Sequence, residues 1–291
     1  MRSWKNFTVN YQFIDYEYGH PGPKGSYKRK TILYKFPKDS SFKKDSWKQI
    51  YLFDSNGKEV ENWSHDEEGN LLIKSKREYD SNGNIKNEIL EDSKGILCQK
   101  LLFNYDSDNQ LIEIIEYSIE GKDIKEKRKQ INKFDSSGNR VECISGDVKY
   151  IFNYDRKNNL IEYYGVNNFD KVTQTIPTKN TFKHSFGDNH VVIWERIDNF
   201  NDKVLRTKKI TYDKNGNEIR FIYSGVEFTG ETETNFIYDS SGRIIESLTL
   251  TKNNNLKSRE LWKYNDEGNE VEKLTFKEDG KIFQIKKSIY N

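Results

Sequence analysis

Between Leu97 and Tyr105 the side chains alternate, with Leu97, Leu101, Phe103 and Tyr105 on one side and Lys100 and Asn104 on the other. A period of two is the signature of a β-strand with one face buried. Ile219, Phe221 and Tyr223 share a face in the same way, as do Ile244, Leu248 and Leu250. The alternation is imperfect where Ile112 and Ile114 fall opposite Leu111, Ile115 and Tyr117. The second face is therefore covered in places, either because the sheet curls on itself or because another surface lies over it.

The strands are punctuated by a recurring turn phrase. It reads Phe53-Asp54-Ser55-Asn56-Gly57, then Tyr79-Asp80-Ser81-Asn82-Gly83, and returns as Tyr212-Asp213-Lys214-Asn215-Gly216 and Tyr238-Asp239-Ser240-Ser241-Gly242. Asp54, Asp80 and Asp106 are spaced by 26 residues, as are Asp213, Asp239 and Asn265. A second, weaker set of turns lies between them, at Asp66-Glu67-Glu68-Gly69, Asp92-Ser93-Lys94-Gly95 and Glu278-Asp279-Gly280. Aspartate accepts bonds from backbone amides just ahead of it, and Gly or Asn tolerates the positive φ of a tight hairpin. The chain thus reads as all-β, built of tandem antiparallel β-hairpin repeats of 26 residues. A lone hairpin is marginal in water, so the hairpins are expected to stack into an elongated, twisted or curled sheet, with a ladder formed by the Tyr or Phe before each turn Asp.

The period divides the chain into an N-terminal cap over 1–48, a first array over 49–162, an irregular insert over 163–205 and a second array over 206–291, all in one continuous structural domain. The cap holds Pro21, Pro23 and Pro37 and is expected to close the first sheet edge. The insert brings together Tyr163, Tyr164, His184, His190, Trp194 and Glu195. With Trp63, these are the candidate partner-binding residues, because repeat arrays carry specificity on their irregular segments.

Composition sharpens this picture. Hydrophobic residues make up 34% and charged residues 32%, yet 17 Phe, 18 Tyr and 5 Trp exclude a disordered chain. A net charge of +2 argues against a nucleic-acid partner. No apolar run follows Met1 that would serve as a secretory signal, and none reaches the roughly 18 residues of a membrane span, so a cytoplasmic protein is expected. Cys98 and Cys143 sit within apolar strand patterns and read as buried free thiols, in keeping with a reducing compartment.

The phrases Tyr79-Asp80-Ser81-Asn82-Gly83-Asn84 and Tyr238-Asp239-Ser240-Ser241-Gly242-Arg243 resemble the YD repeats of the RHS family. The resemblance covers most of residues 50–291 and implies short strands joined by Gly turns. Members of that family shell toxins, decorate cell surfaces or stand alone as small proteins. The unit here is longer than the family's usual unit of roughly 20 residues. That difference and the short chain depart from the closed cocoon of large RHS proteins.

Catalytic chemistry leaves no linear trace. Of the histidines His20, His65, His184 and His190, only the last two are close in sequence, and nothing completes a zinc set. There is no phosphate-binding Gly-Lys-Ser/Thr loop, nucleophile elbow or dinucleotide fingerprint. Glu67-Glu68 and Asp266-Glu267 sit at hairpin tips, where solvated turn residues explain them. Asp54, Asn56 and Gly57 lack the later Glu of a calcium loop. Trp262 reads as core, whereas Trp63 and Trp194 read as exposed anchors. Together these features point to a non-catalytic protein-binding module that uses no cofactor and no metal. The specific form expected is an immunity protein that neutralises a polymorphic toxin by direct binding. A surface or secreted adhesion repeat and a carbohydrate-binding module are the alternatives.

Overall fold

Asp54 shows how the repeat builds its turns. Its carbonyl accepts from Gly57 N at 3.1 Å, its amide donates to Lys58 O at 2.9 Å, and its Oδ1 accepts from the amides of Asn56 and Lys58 at 2.8 and 2.9 Å. Gly57 has φ +77°, which places one extra residue in a G1-type bulge and shifts the register between Leu52 and Phe53. Asp80 and Asp213 repeat the arrangement, while Asn109 and Asn158 supply the positive φ where glycine is missing. A further residue joins in. Asn84, Asn139, Asn159 and Asn217, each four positions past the turn Asp, donate from Nδ2 to its Oδ2 at 2.9–3.2 Å.

The computed structural model describes residues 27–35, 48–66, 68–121, 123–169, 172–186, 189–198, 201–225 and 230–291. Its strands in chain order are β1 (Arg29–Lys35), β2 (Lys48–Phe53), β3 (Glu59–His65), β4 (Leu71–Tyr79), β5 (Ile85–Asp92), β6 (Leu97–Tyr105) and β7 (Leu111–Glu120). They continue as β8 (Asp123–Phe134), β9 (Arg140–Ser145), β10 (Val148–Tyr154), β11 (Leu160–Phe169), β12 (Val172–Phe186) and β13 (His190–Asp198). The remainder are β14 (Val204–Tyr212), β15 (Glu218–Gly225), β16 (Thr232–Tyr238), β17 (Ile244–Thr251), β18 (Leu256–Tyr264), β19 (Glu270–Lys277) and β20 (Ile282–Tyr290).

All belong to one 20-stranded sheet. β1 is hydrogen-bonded on both flanks, with Thr31 opposite Ile50 of β2 and opposite Ile289 of β20. This corrects the expected open, elongated, twisted or curled sheet: in its hydrogen bonding the all-β sheet is a closed antiparallel barrel. The physical reason is parity and edge pairing. In an up-and-down order with an even number of strands, the first and last run antiparallel and can satisfy each other's backbone groups, which removes both edges. The first edge is therefore met by the C-terminal strand. Residues 1–26 and 36–47 of the expected N-terminal cap, with Pro21, Pro23 and Pro37, lie outside the described residues, as do Trp4, Trp47 and His20.

The chain divides into two compact units, one within Gln130–Arg259 and the other within Tyr16–Lys129 and Glu260–Asn291 among the described residues. In the second of these, one face carries the row Tyr51, Asn62, Ser75, Leu90, Gln99 and Ser118, each opposite the next from β2 to β7. The other face carries the row Leu52, Glu61, Lys76, Ile89, Lys100 and Tyr117. The first face is the more buried and holds the cluster Ile85, Leu101, Phe103 and Ile114. Each such side chain contributes roughly 1.5–3 kcal/mol by leaving water.

The same face carries charge. Arg77 lies 2.9 Å from Glu59 and 3.4 Å from Glu88, and Ser75 Oγ donates to Glu88 at 2.5 Å. Opposite-face ion pairs Lys74–Glu61 and Lys76–Glu91 close at 2.9 and 2.7 Å. Cys143 is buried as expected, but Cys98 is exposed, which corrects its reading as a core thiol. Cys98 comes just after the Asp92 turn, where the register shifts between Leu90 and Glu91.

Candidate interaction site

In the Gln130–Arg259 unit, the stretch 163–205 runs through β11, β12 and β13. β12 and β13 pair from Thr178 opposite Asp198 to Phe186 opposite His190. Register then decides which candidate residues meet. One row places Phe182 opposite Trp194, followed by Lys208, Tyr223 and Thr232. The next places His184 opposite Val192, followed by Ile210 and Phe221. Tyr163, Phe182, Val192, Trp194, Ile210 and Tyr212 pack with Cys143 and Phe152 into one buried cluster.

Trp194 is only 6% exposed, and its Nε1 donates to Asn180 Oδ1 at 3.1 Å. This corrects the expectation of an exposed anchor: its register partner is Phe182, and its one polar atom is satisfied internally. Tyr163 is likewise buried, with its ring 5.6 Å from Phe152. Tyr164 and Glu195 are chain neighbours of Tyr163 and Trp194, so alternation puts them on the opposite face. There Tyr164 stands opposite Ile151 and Lys179, and Glu195 accepts from Lys183 Nζ at 2.9 Å. Trp63 lies in the other unit. Its Nε1 donates to Glu61 at 2.9 Å, and Lys74 Nζ sits 5.0 Å from its ring.

The two histidines do come together. His184 Nδ1 and His190 Nε2 are 3.3 Å apart, and His184 Nε2 is 2.9 Å from Leu160 O. A carbonyl oxygen only accepts, so His184 carries a proton on Nε2 and donates it to Leu160 O. The His190 ring stacks on Tyr212 at 5.6 Å and on Phe186 at 4.4 Å, the latter nearly parallel at 6°. Burial, then the neighbouring His184, hold the His190 imidazole below its ordinary range.

Phe186 is the residue the sequence did not single out. It is 53% exposed at the end of the stack, with Lys157 Nζ 5.7 Å from its ring. Its signal was positional, being an aromatic two residues past His184 on the same strand face. Among the described residues, no group of three or more His, Cys, Asp and Glu is placed to hold a metal ion.

No protein-family model matches the chain, and no curated protein matches it. Among solved structures, TcdB2-TccC3 is similar with 13% identity and a TM-score of 0.35, over 85% of this chain and 15% of that one. The chain thus spans 15% of the length of that relative. A porin-like protein from Bacteroides uniformis is similar with 11% identity and a TM-score of 0.34, over 94% of this chain and 100% of that one. A porin-like protein from Bacteroides vulgatus shows 11% identity and a TM-score of 0.34, over 66% and 94% of the two chains.

Proposed function

We propose that this chain is a non-catalytic protein-binding repeat module, an immunity protein of the cytoplasm that neutralises a toxin by direct contact. The observation that carries this reading is Phe186. An aromatic ring 53% exposed, stacked 4.4 Å from a buried histidine, is already held in one orientation. Such a ring adds contact area with little rotamer entropy left to lose, the property of an interface anchor. Lys157 beside it gives the same spot a positive charge, suited to a partner with an acidic rim.

Charge on both faces supports a chain surrounded by water. A lipid-facing barrel needs an apolar band along one face. Here Glu59, Arg77 and Glu88 occupy one face of their unit, and Glu61, Lys74, Lys76 and Glu91 occupy the other.

Co-expression with the product of the adjacent gene in the native genome tests the proposal. Protection from that product's toxicity, recovery of a stable complex, and loss of both in Phe186→Ala are expected. Continued toxicity with no complex would overturn the reading.

A further inference from the structure

We propose that Asn56-Gly57 and Asn215-Gly216 are sites of spontaneous conversion to isoaspartate, and that a bond to the next turn protects the third such pair, Asn82-Gly83. Asparagine precedes glycine at these three places in the chain. All three asparagines are exposed at hairpin tips, open to water. The pairing matters because glycine has no Cβ to shield its backbone nitrogen. That nitrogen, on losing its proton, attacks the asparagine carboxamide carbon. The new C–N bond closes a succinimide ring and expels the carboxamide nitrogen as ammonia. Water then opens the ring at either carbonyl, leaving aspartate or isoaspartate. One water enters and one ammonia leaves, with nothing oxidised or reduced.

The backbone does not distinguish the three pairs. Gly57, Gly83 and Gly216 have φ of +77°, +87° and +83°, and their amides donate to the carbonyls of Asp54, Asp80 and Asp213 at 3.0–3.1 Å. The amides of Asn56, Asn82 and Asn215 each donate to the turn Asp Oδ1 at 2.8–2.9 Å. The side chains do differ. Asn82 Nδ2 donates to Oδ1 of Asn109, 27 residues on in the next turn, at 2.9 Å. Asn84 joins it there at 3.1 Å, and Asn139 reaches Asn158 in the same way at 3.1 Å. Both acceptors are asparagines that stand where other turns have their positive-φ glycine. The same step of 27 residues leads from Asn56 to Gly83 and from Asn215 to Gly242, which have no side chain to accept. Among the described residues, neither the Asn56 nor the Asn215 carboxamide has a hydrogen-bond partner. Both are free to turn onto the following nitrogen, whereas Asn82 must first break its bond.

The product changes the turn. Isoaspartate inserts a methylene into the main chain between two amides that Asp54 or Asp213 holds, so the bulge can no longer close on both. Each conversion also adds a carboxylate, and two of them cancel the net charge of +2, which favours self-association.

The test is incubation of the full chain at pH 8.5 and 37 °C, followed by peptide mass analysis that resolves asparagine, aspartate and isoaspartate. Asn56 and Asn215 should convert, and Asn82 should lag by about five-fold, the worth of one hydrogen bond. In Asn109→Gly, Asn82 should rise to the rate of Asn56. In Gly242→Asn, Asn215 should fall to that of Asn82; Gly242 has φ +74°, which asparagine tolerates, and nothing lies within 4 Å of an added Cβ. In concentrated urea the three sites should convert at like rates. Equal rates in the folded chain, a ranking that survives urea, or no isoaspartate at Asn56 and Asn215 would each overturn the proposal. If a variant fails to fold, the comparison of folded and urea-unfolded wild type decides alone.

Discussion

The phenol of Tyr79 donates to the carbonyl oxygen of Glu59 across 2.5 Å, twenty residues back along the chain. Tyr105 does the same to Ile85 at 3.1 Å, Tyr238 to Glu218 at 2.6 Å and Tyr290 to Glu270 at 2.9 Å. In each case the acceptor is the first residue of the strand that leaves the preceding turn, where the bulge disrupts the ladder. The tyrosine of one turn thus braces the bulge of the one before. Replacing Tyr79, Tyr105 or Tyr238 with Phe should each cost about 1 kcal/mol, the net worth of a buried hydrogen bond, with the fold retained. Urea unfolding measures this, and three variants indistinguishable from the wild type would remove the brace.

The same bond makes an alkaline prediction. Burial first, and then the Asp80 charge, push the Tyr105 phenol up to about 12. The folded value exceeds the unfolded one, so the stability this group contributes is present below pH 10 and is lost as pH rises through about 12. Absorbance titration of tyrosinate should show a late-titrating class that shrinks in Tyr105→Phe. An unchanged titration curve would count against the buried phenol.

Turn glycines separate backbone strain from crowding. Gly57 has φ +77° and nothing within 4 Å of an added Cβ, so Gly57→Ala should destabilise by about 1 kcal/mol through φ alone. Asn109 occupies the same turn position at φ 60°, and Asn109→Gly should be neutral or mildly stabilising. The Asn109 side chain also accepts from Asn82 and Asn84 of the neighbouring turn at 2.9 and 3.1 Å, which limits the gain. Thermal melts of the two variants should therefore move in different directions or by clearly different amounts. Equal losses would refute the assignment of the cost to φ.

These turns were legible because their chemistry is local: an aspartate and a glycine a few residues apart specify a bulged hairpin wherever they sit. Two other parts of the repeat were present in the letters but passed unnoticed. The Asn four residues past the turn Asp closes on its carboxylate, and a Glu seven past it, as in Glu113 and Glu142, meets Asn104 at 2.6 Å and Lys133 at 2.8 Å across the hairpin. Closure of the sheet was not legible. It depends on β1, which carries no turn phrase, finding both β2 and β20. Alternation could have sorted the site, since neighbours such as Tyr163 and Tyr164, or Trp194 and Glu195, cannot share a face. What it could not give was the register that sets Trp194 against Phe182 and buries it. Only the six-residue separation of His184 and His190, spanning a hairpin tip, hinted that those two would meet.

Arg77 has two carboxylates for one guanidinium, and the surplus falls on Glu59, which is 2% exposed. Burial is the largest influence on Glu59 and raises its carboxyl above the ordinary range; Arg77 draws it back and Glu88 pushes it up again. The folded value therefore exceeds the unfolded one of 4.5, and the contribution of this group is full below that value and lost as pH rises through the folded one. Glu59→Gln removes the titration and leaves Arg77 balanced by Glu88, so it should gain on the wild type between pH 4 and pH 7 and be neutral or stabilising at pH 7. Arg77→Met strands two buried carboxylates and should cost about 3–5 kcal/mol at pH 7, with a smaller loss at pH 4, where the Glu59 carboxyl, raised by burial, can take up a proton. The measurement is chemical denaturation of both variants at the two pH values. If Glu59→Gln proved as damaging as Arg77→Met at pH 7, the pair Arg77–Glu59 would be the one that holds the sheet together there. The charge count would then have to be assigned to Glu88.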